Sequence, residues 1–243
     1  MTRLLNGIVA FGSALLLAVT LIGAGFAAVA IPDAATATLS RAFSGCDQPN
    51  TPFTADELAS MAIAGKHYTF DDNDREKLDA AIAEANAAAE ADGRATASTR
   101  ESAARSLPAD ATSHLDDVYR VASVAKPALM IVAVLCIAGL AHVAVRISRR
   151  ALGRTLMASG GLVLAAFCAL GAWAAIDFDG LFAVFHSLFF RAGTWTFPYD
   201  SLLITLYPTA FWMGMGGIWL AVTCGLSILA VLIGFTLGHK QHD

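Results

Sequence analysis

The chain has 243 residues, a formal net charge of −4, and only 15% charged residues against 56% hydrophobic ones. Soluble domains usually carry about 25% charged residues, which excludes an ordinary soluble domain, and the acidic balance argues against a nucleic-acid partner. The charge is also unevenly spread. Long uncharged runs flank a polar segment from Asp33 to Lys126, the blockwise pattern of membrane spans around an insert.

Four uncharged runs stand out, from about Leu4 to Ile31, Pro127 to Val145, Thr155 to Ile176 and Tyr207 to Leu237. About 20 apolar residues cross roughly 30 Å of hydrocarbon. Backbone groups in lipid must be bonded internally, and no barrel-like alternation is present, so these runs are expected to be helices. The first run also resembles a secretion signal, with Arg3 ahead of it and Ala28-Val29-Ala30 near its end. It is much longer than the about 7–15 apolar residues of such a signal, so it is read as a retained span.

Orientation follows from the basic residues, which favour the cytoplasmic side. Arg146, Arg149, Arg150 and Arg154 crowd the connection between the second and third runs, and Arg3 and Lys240 flank the outer two. The expected fold is therefore an all-α membrane protein with both termini cytoplasmic. Its spans are 1–31, 127–146, 155–176 and 207–237. A helical extracytoplasmic domain occupies 32–126 and an aromatic outer loop 177–206, while the basic loop 147–154 and the tail 238–243 face the cytoplasm. Of the four cysteines, Cys136, Cys168 and Cys224 fall in spans. Cys46 is alone outside, so the outer domain has no internal disulfide. Cys46 also lies too far past the first run to be a lipid-attachment cysteine.

Within 32–126, Thr54-Ala-Asp-Glu57 has the spacing of a capping box and predicts a helix from about Ala55 to Ala64. Asp71-Asp72-Asn73 places acids where a helix dipole favours them, opening a helix that runs to Asp92 and stops at Gly93. Leu78, Ile82 and Ala85 give that helix only a thin apolar stripe, so this hairpin is expected to be mobile. Residues 94–109 read as a linker or a loose helix. Asp110 then caps a helix with Leu115, Val118, Val121 and Ala122 at helical spacing, and Lys126-Pro127 predicts a kink or break before the second span.

Two places carry residues suited to chemistry. In Ser113-His114-Leu115-Asp116-Asp117, His114 and Asp117 are i,i+3 neighbours on a helix face, and a carboxylate beside an imidazole sets its tautomer. The other reading is a solvated histidine with Asp117 paired to Arg120. The second place runs from Phe185 through His186, Phe189, Phe190, Arg191, Trp195, Phe197, Tyr199 and Asp200 to Leu203. Its aromatic residues suit the headgroup level, but an interfacial belt does not need His186, Arg191 or Asp200. A serine nucleophile (Ser113 or Ser187) is disfavoured because each adjoins its histidine in sequence, and His114, Asp117 and His186 lack compact metal-ligand spacing. His67, His142, His239 and His242 receive no role. Gly214, Gly216 and Gly217 form a small-residue patch suited to close helix packing.

The second segment has the pattern H-x-x-F-F…W-x-F…D-x-L-L-x-x-L-Y-P-x-x-F, at His186, Phe189, Phe190, Trp195, Phe197, Asp200, Leu202, Leu203, Leu206, Tyr207, Pro208 and Phe211. With H-L-x-D-V at His114, Leu115, Asp117 and Val118, it resembles the bacterial four-span membrane family that includes lipoprotein intramolecular transacylase. The resemblance implies an acyltransferase without a soluble cofactor or metal. Its partners would be membrane lipid and lipoproteins whose N-terminal cysteine carries a diacylglyceryl group. The sn-2 acyl chain would move to the α-amino group of that cysteine, giving a lyso-form lipoprotein. It implies His114 and His186 as the histidines that serve the reaction; on chemical grounds His186 is read as base or acid, His114 as its partner and Asp117 as orienter, with Arg191, Trp195, Asp200, Phe189 and Phe190 around the substrate. The acidic, alanine-rich segment 71–106 resembles nothing in that family. The competing reading is a non-enzymatic envelope protein whose outer domain binds a protein partner, with the aromatic loop as anchor. A transporter is disfavoured because no span holds an acidic or basic residue.

Overall fold

The structure is a computed structural model and describes residues 2–95 and 105–239. Most of the expected linker 94–109 and of the tail 238–243, with Lys240 and His242, lies outside the described residues. All regular structure among the described residues is helical: α1 (Thr2–Ala30), α2 (Asp33–Phe43), α3 (Ala55–Phe70), α4 (Arg75–Ala91), α5 (Ala109–His142), α6 (Arg149–Ile176), α7 (Phe178–Phe189), α8 (Leu202–Leu206) and α9 (Thr209–His239), with a π-helical turn at Val143–Ile147 after α5. Four helices are long and apolar enough to cross a membrane: α1, α5 with its π-turn, α6 and α9. The chain is thus a multi-pass membrane protein.

Helix α5 with its π-turn covers 39 residues, about 58 Å at 1.5 Å per residue, twice what hydrocarbon requires. Its N-terminal half carries Asp110, Asp116, Asp117, Arg120 and Lys126. The span proper is therefore the apolar half from Pro127 onward, and His114 lies outside it. Pro127 sits inside the helix, so the expected break at Lys126-Pro127 does not occur. Proline removes one backbone bond, but the turns on either side remain bonded, and apolar flanks favour keeping the helix intact.

Two compact units divide the chain. One comprises residues 1–28, 125–176 and 218–243. Its core gathers Leu17, Leu21, Cys136, Val163 and Phe167, with Trp219 packed against it, and the Trp219 Nε1–H donates to the Ile22 carbonyl at 3.1 Å. Helices α6 and α9 approach through Gly153 and Gly234. A Cβ on either would come within 2.6 Å of the other's carbonyl oxygen or closer, so only glycine fits. In the small-residue patch expected to serve close packing, Gly214 does so, since a Cβ there would come within 2.6 Å of Leu39 of α2, whereas Gly216 and Gly217 face open space.

The other unit comprises residues 29–124 and 177–217. Its core joins Leu58 and Met61 of α3, Leu78, Ile82, Ala85 and Ala89 of α4, Leu115 of α5, and Leu202, Leu203 and Leu206 of α8. The stripe on α4 is therefore buried, contrary to the expected mobile hairpin. Small alanines let the helix pack closely, and burying Leu78 fully is worth about 1.5–3 kcal/mol.

The capping box at Thr54 is present: its hydroxyl accepts from Glu57 N, and the Glu57 carboxylate accepts from Thr54 N. Arg94 binds both Glu57 oxygens, at 2.7 and 2.9 Å, and holds that carboxyl below its usual range. Helix α3 runs six residues past the expected Ala64, to Phe70. Lys66, almost fully buried, secures the extension by donating to Asp33 at 2.5 Å and to the Ile31 carbonyl at 2.6 Å. Helix α4 begins at Arg75, later than expected, because Asn73 adopts φ +53° and Asp74 becomes the cap. Helix α5 begins at Ala109, with Asp110 in its first turn accepting from Ala111 N rather than capping from outside. Helix α2 has no counterpart in the expected elements. The aromatic segment 177–206, expected as a loop, contains α7, capped by Asp177, and α8, capped by Ser201.

Candidate active site

Three anchors within the second unit fix the site. Leu115 seats the N-terminal half of α5 in the core. One turn of side chains beside it, Tyr68 of α3 donates to Asp116 at 2.5 Å, and Asn73 donates to the same oxygen at 3.4 Å. His114 is consequently held inward and is 8% exposed. Helix α7 presents His186, also 8% exposed, from the face opposite Leu188. The chain then reverses at Arg191–Thr194, where Thr194 N donates to the Arg191 carbonyl and Gly193 takes φ +83°, a conformation suited to glycine. This turn lays Trp195 against His186, with ring centroids 5.0 Å apart.

The two imidazoles lie 6.2 Å apart, centre to centre. Phe190 and Phe197 stand 4.9 and 5.6 Å from His114. Phe182 stands 3.9 Å from His186. His186 Nδ1 lies 2.9 Å from the Phe182 carbonyl. A carbonyl only accepts, so Nδ1 carries the proton and Nε2 keeps its lone pair. His114 Nδ1 and Trp195 Nε1 are buried without a hydrogen-bond partner. Buried polar groups are normally satisfied, so these two mark a place prepared for a polar guest. Burial pulls both histidines below the ordinary imidazole value, His114 to about 4, with the charge of His186 as a second cause. Both are therefore neutral near pH 7.

Asp117 does not hydrogen-bond His114. Its carboxylate accepts from Arg120 at 2.5 Å on the exposed side of α5. Residues i and i+3 are about 60° apart on a helix, and here that difference turns one inward and the other outward. Asp117 acts on His114 only as a nearby negative charge that opposes the downward shift. Arg191 and Asp200 are exposed, as is Phe189, whereas Phe190 is half-buried against both histidines. The Ser187 hydroxyl donates to the Val184 carbonyl at 2.7 Å and is turned from its histidine. Ser113 is exposed and lines a shallow groove with Arg75, Thr112 and Asp116 that includes neither histidine. Sequence reasoning missed Phe182, whose i, i+4 spacing to His186 on an apolar helix was the available signal.

A multi-pass, all-helical membrane protein with a buried histidine pair in an aromatic enclosure is the class defined here. The model of the lipoprotein intramolecular transacylase (Lit) family matches residues 94–212, a stretch that includes both histidines and Trp195. The solved structure of the membrane integral lipoprotein intramolecular transacylase Lit from Bacillus cereus is similar at a TM-score of 0.73 and 17% identity, covering 98% of this chain and 97% of that one. A histidine-to-alanine mutant of the same protein gives a TM-score of 0.70 at 16% identity, over 99% of this chain and 96% of that one. No curated protein matches by sequence. The chain thus resembles the lipoprotein intramolecular transacylase family in sequence over residues 94–212 and shares the fold of these solved structures over nearly its whole length.

Proposed function

We propose that the protein moves the sn-2 acyl chain of a diacylglyceryl-modified lipoprotein to the α-amino group of the same N-terminal cysteine. The observation that carries this reading is the pair of buried, neutral histidines with two polar atoms, His114 Nδ1 and Trp195 Nε1, left unpartnered, within the segment matched by the family. An α-ammonium group loses its proton near pH 7.7–8.0, within reach of an imidazole base. His186 Nε2 takes that proton. The free amine attacks the ester carbonyl, and the Trp195 Nε1–H donates to the oxyanion as it forms. The imidazolium passes its first proton to solvent and takes a second from the nitrogen of the tetrahedral adduct; collapse then breaks the ester C–O bond, forms the amide, and delivers that second proton to the leaving glyceryl oxygen. His114, across a gap of 6.2 Å between ring centres, accepts a hydrogen bond from the attacking or leaving group in between. Donor and acceptor belong to one molecule, so positioning supplies much of the acceleration. Asp117 contributes its field. Arg191, Asp200, Phe189 and Phe190 line the approach of headgroup and acyl chain.

In this reading the basic connection with Arg146, Arg149, Arg150 and Arg154, together with both termini, is cytoplasmic. Residues 32–126 and 177–206, with the histidines, face outward, where lipoproteins mature. A binding module would not need to bury two histidines together, since burial of unpaired polar groups is costly.

The test is expression in a bacterium whose lipoproteins are diacylated, with mass spectrometry of the N-terminal lipopeptide. Migration of one acyl chain to the amine, lost in His114→Ala and His186→Ala, is the expected result. An unchanged diacylglyceryl cysteine beside well-inserted protein would sink the proposal.

A further inference from the structure

Helix α7 is amphipathic in the reverse sense to a helix of a soluble protein. Val184, Phe185 and Leu188 are exposed, Leu188 at 72%. At 100° per residue, these and the half-buried Leu181 occupy one continuous face. His186, Asp179, Ala183 and Ser187 occupy the other. A soluble helix hides its apolar stripe in the core and shows its polar face to water. Here the polar face holds the buried histidine, and the apolar face is only partly covered.

The chain itself indicates what covers that face. Helix α6, a membrane-spanning helix, ends at Ile176, which is 86% exposed. Asp177 then caps α7 with no intervening linker. Helix α7 thus follows in the chain directly on a segment that lies in lipid. The 12 residues of α7 span about 18 Å, too short to cross the roughly 30 Å of hydrocarbon but ample to lie along its edge. Arg191, two residues past the end of α7, is exposed and has no carboxylate partner among the described residues, so it is free to meet a lipid phosphate.

We infer that α7 lies in the plane of the membrane, with Leu181, Val184, Phe185 and Leu188 among the acyl chains of the leaflet that α6 leaves at Ile176. This holds His186 at headgroup depth and lets a lipid-anchored substrate reach it sideways through the bilayer. The sideways access rests on the proposed transacylation; the placement of α7 does not.

The experiment uses the unmodified full chain in bilayers containing a phosphatidylcholine with a photoreactive diazirine on its acyl chain. After illumination and digestion, adducts are mapped by mass spectrometry. Adducts on residues 181–188 at a yield within about threefold of those around Met130 and Ile131 in the second span are expected. Adducts confined to the four spans would overturn the inference, as would protein–protein cross-links through α7 in place of lipid. Spin labels at Val184 and Leu188, against labels at Ala183 and Ser187, give an independent reading. The first pair should favour oxygen over a water-soluble nickel relaxant, and the second pair the reverse; equal accessibility of all four to the nickel reagent would also overturn it. Neither readout depends on activity. Lipid adducts on α7 without acyl migration would therefore leave the placement standing and remove only the transacylase.

Discussion

Acid should loosen this protein through His114 in particular. Burial and the neighbouring His186 hold its imidazole at about 4, whereas an unfolded chain restores the ordinary value of about 6.5. As pH falls the unfolded chain takes the proton first, so stability is fully present above about pH 6.5 and is lost progressively toward pH 4. The gap is worth about 3 kcal/mol in total, most of which is gone by pH 4.5. The side chain is 8% exposed, so solvent screening takes little from this figure. His114→Phe fills the same aromatic surroundings and removes the titration. Thermal unfolding of detergent-solubilised protein at pH 7.5 and 4.5, followed by tryptophan fluorescence, should show wild type losing about 2–3 kcal/mol more than the variant. For a chain of this size that is a difference of about 5–10 °C in Tm. Carboxylates held low, such as Glu57 and Asp33, lose their contribution equally in both proteins and cancel. Equal acid sensitivity of the two would refute the buried-neutral assignment of His114.

Two further outcomes are expected. Trp195→Phe keeps a ring against His186 and deletes one unpartnered N–H, so acyl migration should slow by about 100-fold while Tm stays level or rises, because a buried unpaired donor costs about 1–3 kcal/mol; single-turnover lipopeptide kinetics and a melting curve check both. Gly65→Ala would put a Cβ 2.3 Å from the Tyr207 hydroxyl, which donates to the Ala62 carbonyl at 2.8 Å. It should cost about 1–3 kcal/mol, and adding Tyr207→Phe, which removes that oxygen, should restore most of the lost Tm.

The four membrane helices were legible in the sequence because long uncharged runs are a local property that lipid enforces segment by segment. The capping box at Thr54 was legible for the same reason: both partners lie within four residues. The histidine pair was named from a motif, and the i,i+3 spacing of His114 and Asp117 suggested a bond between them. Only the packed structure decided otherwise. Tyr68 and Leu115 rotate His114 into the core, while Arg120 draws Asp117 outward, and no local rule chooses between those partners. The same holds for the alanine-rich α4. Its stripe looks too thin alone and becomes core once Leu58, Met61 and Leu202 cover it.

What the sequence determined by itself was whatever depends on neighbours a few residues away: the spans, the caps and the uneven charge. The tertiary structure decided which side chains share one enclosure, setting Trp195 on His186 through the turn at Gly193 and leaving Trp195 Nε1 and His114 Nδ1 unsatisfied. Burial and long-range partnership depend on the whole folded surface, and they alone turn two histidines 72 residues apart in the chain into one neutral, water-poor site.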